Sequence, residues 1–326
     1  MSLLVVGSVA IDTIESPFGS APEVLGGSAT HFALAASLFA PVRLVGVVGE
    51  DFPGSYLELL RQRGVCLEGL QVVPGRSFRW TGRYQGTMAQ AETLSVELNV
   101  FGDFEPALPP AYRTSRFVFL ANGSPHVQRK VLEQVEGDPF CLLDTMNLWI
   151  EIERRALLQV LERVDALVIN DEEIRELTQR ANLIAAARAV LELGPRTVVV
   201  KKGEHGALLV HQDRIFAAPA FPVERVLDPT GAGDTFAGGF MGTLARLGRR
   251  RPSLQDLKQA VCAGVVCASF NVEEFGPGRV LGLEPHEVLE RYRAYLAMLQ
   301  VDGEPVLEQV LLAAGSEGSR AGAAAG

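Results

Sequence analysis

The chain has 326 residues, 48% hydrophobic and 21% charged, enough for a full core in one large α/β unit with an appendage. Its net charge of −9 argues against a nucleic-acid surface, which needs a basic face, and no apolar run approaches the ~20 residues of a membrane span. Four scattered cysteines, Cys66, Cys141, Cys262 and Cys267, form no CxxC pair and read as reduced, packed thiols of a cytoplasmic protein.

Residues 3–7 are a continuous apolar run with no basic segment ahead of it, which predicts a strand buried on both faces and no signal peptide. Asp12 follows at the carboxyl end of that strand, the edge where ligands collect in open α/β sheets; the other reading is a turn residue satisfying local amides. Gly26 and Gly27 open an alanine-rich helix over 29–39, in which His31 is either a ligand contact or a core histidine. No GxGxxG follows the first strand, which argues against a dinucleotide site. Residues 43–48 predict a second buried strand, and 53–63 a helix. Between 67 and 100 polar and apolar residues alternate without a helix, the period of half-exposed strands. A small antiparallel sheet is expected there, with residues 13–18 added, and it must cover something to be stable.

From 116 onward short apolar strands at 117–121, 140–144 and 166–170 alternate with helical segments at 127–135 and 151–162, a doubly wound pattern. Asn122 and Asn147 fall just past two strand ends, as substrate contacts or as loop asparagines in turns. Asn170 and Glu173 carry oxygen ligands suited to Mg²⁺ through water; a capped helix with an acidic first turn explains the same residues. Residues 196–202 form another strand, with Lys202 at its end reaching a phosphate or solvated. A hairpin at 207–211 and 214–217, helices at 253–270 and 285–299, and a Gly/Ala/Ser-rich, disordered tail at 313–326 complete the chain.

Chemistry concentrates at Asp228-Pro-Thr-Gly-Ala-Gly-Asp-Thr-Phe236. Gly231 and Gly233 allow a tight turn and close approach. The apolar-periodic segment 235–247 predicts a helix, whose tip would present N–H groups and partial positive charge to phosphate oxygens. A carboxylate beside an anion site should be repelled, so Asp234 makes sense as a proton acceptor, taking the hydrogen of an alcohol that attacks a γ-phosphoryl group. The plainer alternative is a turn followed by an N-terminal helix carboxylate. The Walker pattern GxxxxGK[ST] does not occur.

The nine positions 228–236 closely resemble the C-terminal signature of the ribokinase (PfkB) family of carbohydrate and nucleoside kinases. The resemblance covers nearly the whole chain up to about residue 300. It implies a ribokinase-like α/β fold, a doubly wound, mostly parallel sheet flanked by helices, with a small β-sheet lid. The kinase core would comprise 1–12, 26–66 and 101–312, and the lid 13–25 and 67–100. It implies ATP and Mg²⁺ as cofactors, K⁺ as a further cation, and a sugar acceptor, with a nucleoside or a non-catalytic sugar sensor as alternatives. Asp234 would be the general base, and the amides of Gly231, Ala232 and Gly233 an anion hole. Asp12, Gly26, Gly27, His31 and Asn122 would meet the acceptor. Asn170, Glu173, Lys202, Gly203, Gly206, Thr230 and Asn271 would line the nucleotide and its Mg²⁺, and Asp228 a monovalent cation. Similar proteins often carry Asn where His31 stands and Thr where Lys201 stands. Lids of the family also pair between subunits, which implies a homodimer.

Overall fold

The computed structural model describes residues 2–88 and 90–300; the expected tail at 313–326 lies outside them. The first half runs β1 (Leu3–Val6), β2 (Ala10–Ser16), β3 (Gly19–Gly26), α1 (Ser28–Ala36), β4 (Val42–Gly49), α2 (Gly54–Gln62), β5 (Val65–Val73), β6 (Phe78–Tyr84) and β7 (Ala91–Glu97). The second half runs α3 (Pro110–Arg113), β8 (Phe117–Leu120), α4 (Pro125–Gln134), β9 (Phe140–Asp144), α5 (Asn147–Ile152), α6 (Arg154–Leu161), β10 (Ala166–Asn170), α7 (Asp171–Thr178), α8 (Leu183–Leu191), β11 (Thr197–Lys201), β12 (Ala207–His211), β13 (Arg214–Ala218), α9 (Ala232–Leu247), α10 (Leu254–Asn271), α11 (Gly278–Leu281) and α12 (Pro285–Met298). The helix expected over 151–162 is interrupted at Glu153, whose φ of −124° is not helical.

Nine strands form one sheet in the order β13-β12-β11-β10-β9-β8-β1-β4-β5. All neighbours are parallel except β11/β12 and β12/β13. Because strand side chains alternate, Leu3 and Val5 pack with α1, α9 and α10 on one face, while Leu4 and Val6 pack with α4, α6, α7 and α8 on the other. This is why β1 and β8 are apolar at every position: both faces are roofed by helices. Every residue of α1 is buried. α9 lies between α1 and α10, and small residues set that spacing. A Cβ on Gly238 would come 2.5 Å from Phe32 O, and one on Gly239 2.8 Å from Cys267 Sγ.

A second, four-stranded sheet has the order β3-β2-β6-β7, and its composition corrects the expected boundaries twice. Residues 67–73 belong to β5, which pairs in parallel with β4 at the edge of the large sheet. Their alternation marks an edge strand with one open side, and exposure alone does not say which sheet a strand joins. Asp12, expected at the end of the first strand within the core, lies inside β2, opposite Val24 on β3 and Trp80 on β6. The chain leaves β1 at Gly7 and re-enters extended structure at Ala10 with no helix between. The sheet is also not purely antiparallel. β2 and β6 run parallel, which the long excursion through α1, β4, α2 and β5 permits.

Candidate active site

The carboxyl ends of β9, β10 and β11, the start of α9 and the inner face of the small sheet converge on one group of charged residues. α9 begins after Gly231, which has φ +72°, and a Cβ there would lie 2.3 Å from the His31 ring. Only glycine meets both demands without strain. The amide of Ala232 donates to Pro229 O (3.1 Å), which corrects the expectation of three free amides. The loop tightens before the helix, so that of the three amides only those of Gly231 and Gly233 stay clear of that turn.

Asp234 follows in the first turn and retains partial solvent exposure. Burial of its carboxyl and the negative charge of Asp144 push it well above the usual carboxylate range, with Lys201 opposing and Asp12 adding to the rise. Asp12 is 5% exposed. A Cβ on Gly26 would sit 1.9 Å from its Oδ2, so that glycine makes room for the acid. Burial raises Asp12 to about 7, with the Gly27 N–H opposing.

Asp228 ties the loop down. Its Oδ1 accepts from Thr230 N (2.8 Å) and its Oδ2 from Gly276 N (2.7 Å). Asn271, expected beside the nucleotide, is fully buried instead. Its Nδ2 donates to Thr230 O (2.7 Å), and its Oδ1 accepts from Thr235 Oγ1 (3.0 Å) and meets His31 Nδ1 (3.2 Å). It braces the loop from behind, a duty that composition and spacing do not separate from ligand contact. His31 is 2% exposed, and burial lowers it to about 4, so it is neutral. Its Nε2 has no partner among the described residues. Asn122, expected to meet the acceptor, has both ends of its amide engaged. Oδ1 accepts from Trp149 Nε1 (3.1 Å) and Nδ2 lies 3.2 Å from Met146 Sδ.

At the far side Asn170 and Glu173 form a reciprocal cap on α7. Asn170 Oδ1 accepts from the amides of Glu172 and Glu173, and Glu173 Oε2 from the amide of Asn170. Burial raises Glu173 to about 7, with Lys201 opposing. Gly203 and Gly206 frame the short turn from β11 to β12, closed by Lys202 N donating to Gly206 O (2.8 Å). Lys202 takes no part in the charged group. The lysine that does is its neighbour Lys201, whose Nζ is 3.4 Å from Asp144 Oδ2, with side chains 19% and 5% exposed.

Asp144, Lys201 and Tyr84 are neighbours of the site to which sequence reading gave no role. The first two end apolar strands at the carboxyl edge of the sheet, the same signal that singled out Asn170. Among the described residues no group of three or more His, Cys, Asp or Glu side chains is arranged to hold a metal. That donor set still suits Mg²⁺, which needs few protein ligands when nucleotide oxygens and water supply the rest.

A helix tip opened by Gly231, an acid in its first turn and a second acid under a covering sheet sit on a fold and sequence that define the class: a phosphotransferase of the ribokinase type. A protein from Escherichia coli described as ribokinase II, in complex with ATP and Mg²⁺, matches with a TM-score of 0.77 at 20% identity, over 90% of this chain and 99% of that one. The Methanocaldococcus jannaschii nucleoside kinase gives 0.71 at 20% identity, over 90% and 98%. The chain belongs to the pfkB family of carbohydrate kinases, which it matches over residues 2–281. A cytidine kinase of Thermococcus kodakarensis is 31% identical over 283 residues, 85% of this chain and 98% of the relative. A nucleoside kinase of Methanothermobacter thermautotrophicus is 30% identical over 265 residues, 77% and 79%.

Proposed function

We propose that this kinase transfers the γ-phosphoryl group of ATP to a hydroxyl of a nucleoside. The observation that carries it is the pairing of the Gly231–Gly233 helix tip with Asp234 inside one charged group that Asp12 enters from the covering sheet. Asp12 accepts hydrogen bonds from acceptor hydroxyls and fixes the attacking one. Asp234 takes that hydroxyl's proton as its oxygen bonds to phosphorus, and the Gly231 and Gly233 amides hold charge on the phosphoryl oxygens. Asn170 and Glu173 would support Mg²⁺ through water, and the ion would supply charge neutralisation to the ATP phosphates. The second sheet excludes water that would otherwise be phosphorylated. Asp228 serves to brace the loop, each of its carboxylate oxygens accepting one backbone N–H.

A nucleoside acceptor is favoured over a free sugar because the two relatives above, matched over most of their length, are a cytidine kinase and a nucleoside kinase. A free pentose is the second reading, since a relative named ribokinase is 25% identical over 91% of its length. The test is ADP release from MgATP with a panel of nucleosides and free sugars, and identification of the phosphorylated product by mass. Nucleoside-dependent turnover supports the reading. Turnover only with free sugars replaces the acceptor, and turnover with neither rejects the proposal.

A further inference from the structure

We propose that Lys201 is a catalytic residue of this kinase, its ammonium contacting the γ-phosphoryl group during transfer, with Asp144 as the positioning residue that holds it there. The inference rests on the phosphoryl-transfer reading above and adds a participant to it. Lys201 ends β11 with its side chain directed at the tip of α9. A Cβ built on Gly233 would lie 2.9 Å from its Nζ and 3.5 Å from its Cδ. The ammonium therefore rests against a residue whose amide faces an incoming anion.

Its protein contacts leave it unfinished. An ammonium has three donors, and among the described residues Lys201 makes one hydrogen bond, the 3.4 Å contact to Asp144 Oδ2. Asp144 is fixed in turn: its Oδ1 accepts from Thr145 N (2.9 Å), and its carbonyl accepts from Gln128 Nε2 (3.0 Å), which also bonds Ala121 O. A largely buried cation with two unused donors beside an anion-binding helix tip is set for a further anionic oxygen.

Electrostatic balance points the same way. Asp12, Asp144, Glu173 and Asp234 surround the place where a phosphoryl group must sit, and Lys201 is the cation that acts on Asp144, Glu173 and Asp234 alike. With the Ala232 amide turned back to Pro229, the helix tip offers two amides to a polyanion among four acids, and Lys201 adds a protein cation to the Mg²⁺ that would come with ATP. In the transfer step the acceptor oxygen bonds to phosphorus, the bond from phosphorus to the ADP oxygen breaks with its electron pair, and the proton passes to Asp234. Lys201 keeps all its protons and stabilises charge on the phosphoryl oxygens as a compact point charge.

The test compares MgATP and MgADP binding by calorimetry, which needs no acceptor, with turnover on cytidine. Lys201→Met is expected to weaken MgATP about tenfold while leaving MgADP within about threefold, and to lower kcat by ~10² or more; Lys201→Arg should restore part of the ATP preference. Lys201→Gln, which keeps a polar end to bond Asp144, serves if the Met variant does not fold. An unchanged ATP-to-ADP affinity ratio in a folded, uncharged variant overturns the proposal. Wild-type protein that binds neither nucleotide sinks the kinase reading itself, a distinguishable result.

Discussion

The hydroxyl of Tyr84, on strand β6 of the small sheet, lies 3.2 Å from Thr230 Oγ1 in the loop that opens α9. One hydrogen bond thus joins the covering sheet to the loop that opens α9. Tyr84 is buried with Ile14 and Met88 in a small apolar cluster of that sheet, and burial pushes its hydroxyl above the usual phenol range. Tyr84→Phe keeps the ring and removes the bond. We expect kcat/KM to fall by about two- to tenfold, with ATP hydrolysis in the absence of acceptor rising as the cover loosens. Steady-state kinetics with and without nucleoside would show it, and unchanged values for both would detach the sheet from the chemistry.

Asp234→Asn removes the proposed proton acceptor without changing shape. Turnover is expected to drop by ~10² to 10⁴ with little effect on ATP affinity. In the wild type the base form of Asp234 must be populated. Because its folded carboxyl is raised to about 8, activity should climb with pH along a limb that levels off near pH 8. A profile flat from acid to alkaline conditions would count against the assignment.

Asp12→Asn tests the buried acid through stability. The folded carboxyl is raised to about 7, against about 4 in an unfolded chain, so the folded state holds the proton more tightly. The stability this contributes is present in full below pH ~4 and is lost as pH rises through the folded value. Asn carries no such charge. The Asn variant should therefore gain melting temperature relative to wild type as pH rises from about 4.5 to 8, while acceptor KM worsens. A melting difference independent of pH would refute the raised acid.

Gly231→Ala meets a positive φ and the His31 ring together. A loss of about 1–3 kcal/mol from the backbone conformation alone is expected, together with lost turnover because the loop must shift. Chemical denaturation and kinetics on the same preparation measure both. Normal stability would mean that the ring and loop separate at little cost.

Fold class was legible because β1, β4, β8, β9 and β10 are short runs apolar at nearly every position, a pattern that two-sided burial produces. The loop at Gly231 was legible because two glycines and an acid at a helix start are a chemically unusual combination. Partnerships were not legible. Asn271 and Asn122 look like ligand contacts in sequence, yet one braces the Thr230 carbonyl from behind and the other clasps Trp149. Adjacent lysines are equivalent on paper. β11 directs Lys201 inward toward Asp144, while Lys202 starts the turn. The small sheet was misdrawn for a similar reason, since pairing depends on residues far apart along the chain.

The parallel pairing of β2 with β6 dictates an order of assembly. Ala10–Ser16 can meet Phe78–Tyr84 only after α1, β4, α2 and β5 have carried the chain across and back, whereas the β2–β3 hairpin can close as soon as it is made. On the ribosome, a nascent chain extended only to β5 carries the Asp12 hairpin with one backbone edge bare, open to stray pairing. Maturation of the cover therefore trails that of the neighbouring strands. On refolding from denaturant, a circular permutant cut between β5 and β6, which lengthens the chain between β2 and β6, should cap that edge later than one cut between β12 and β13.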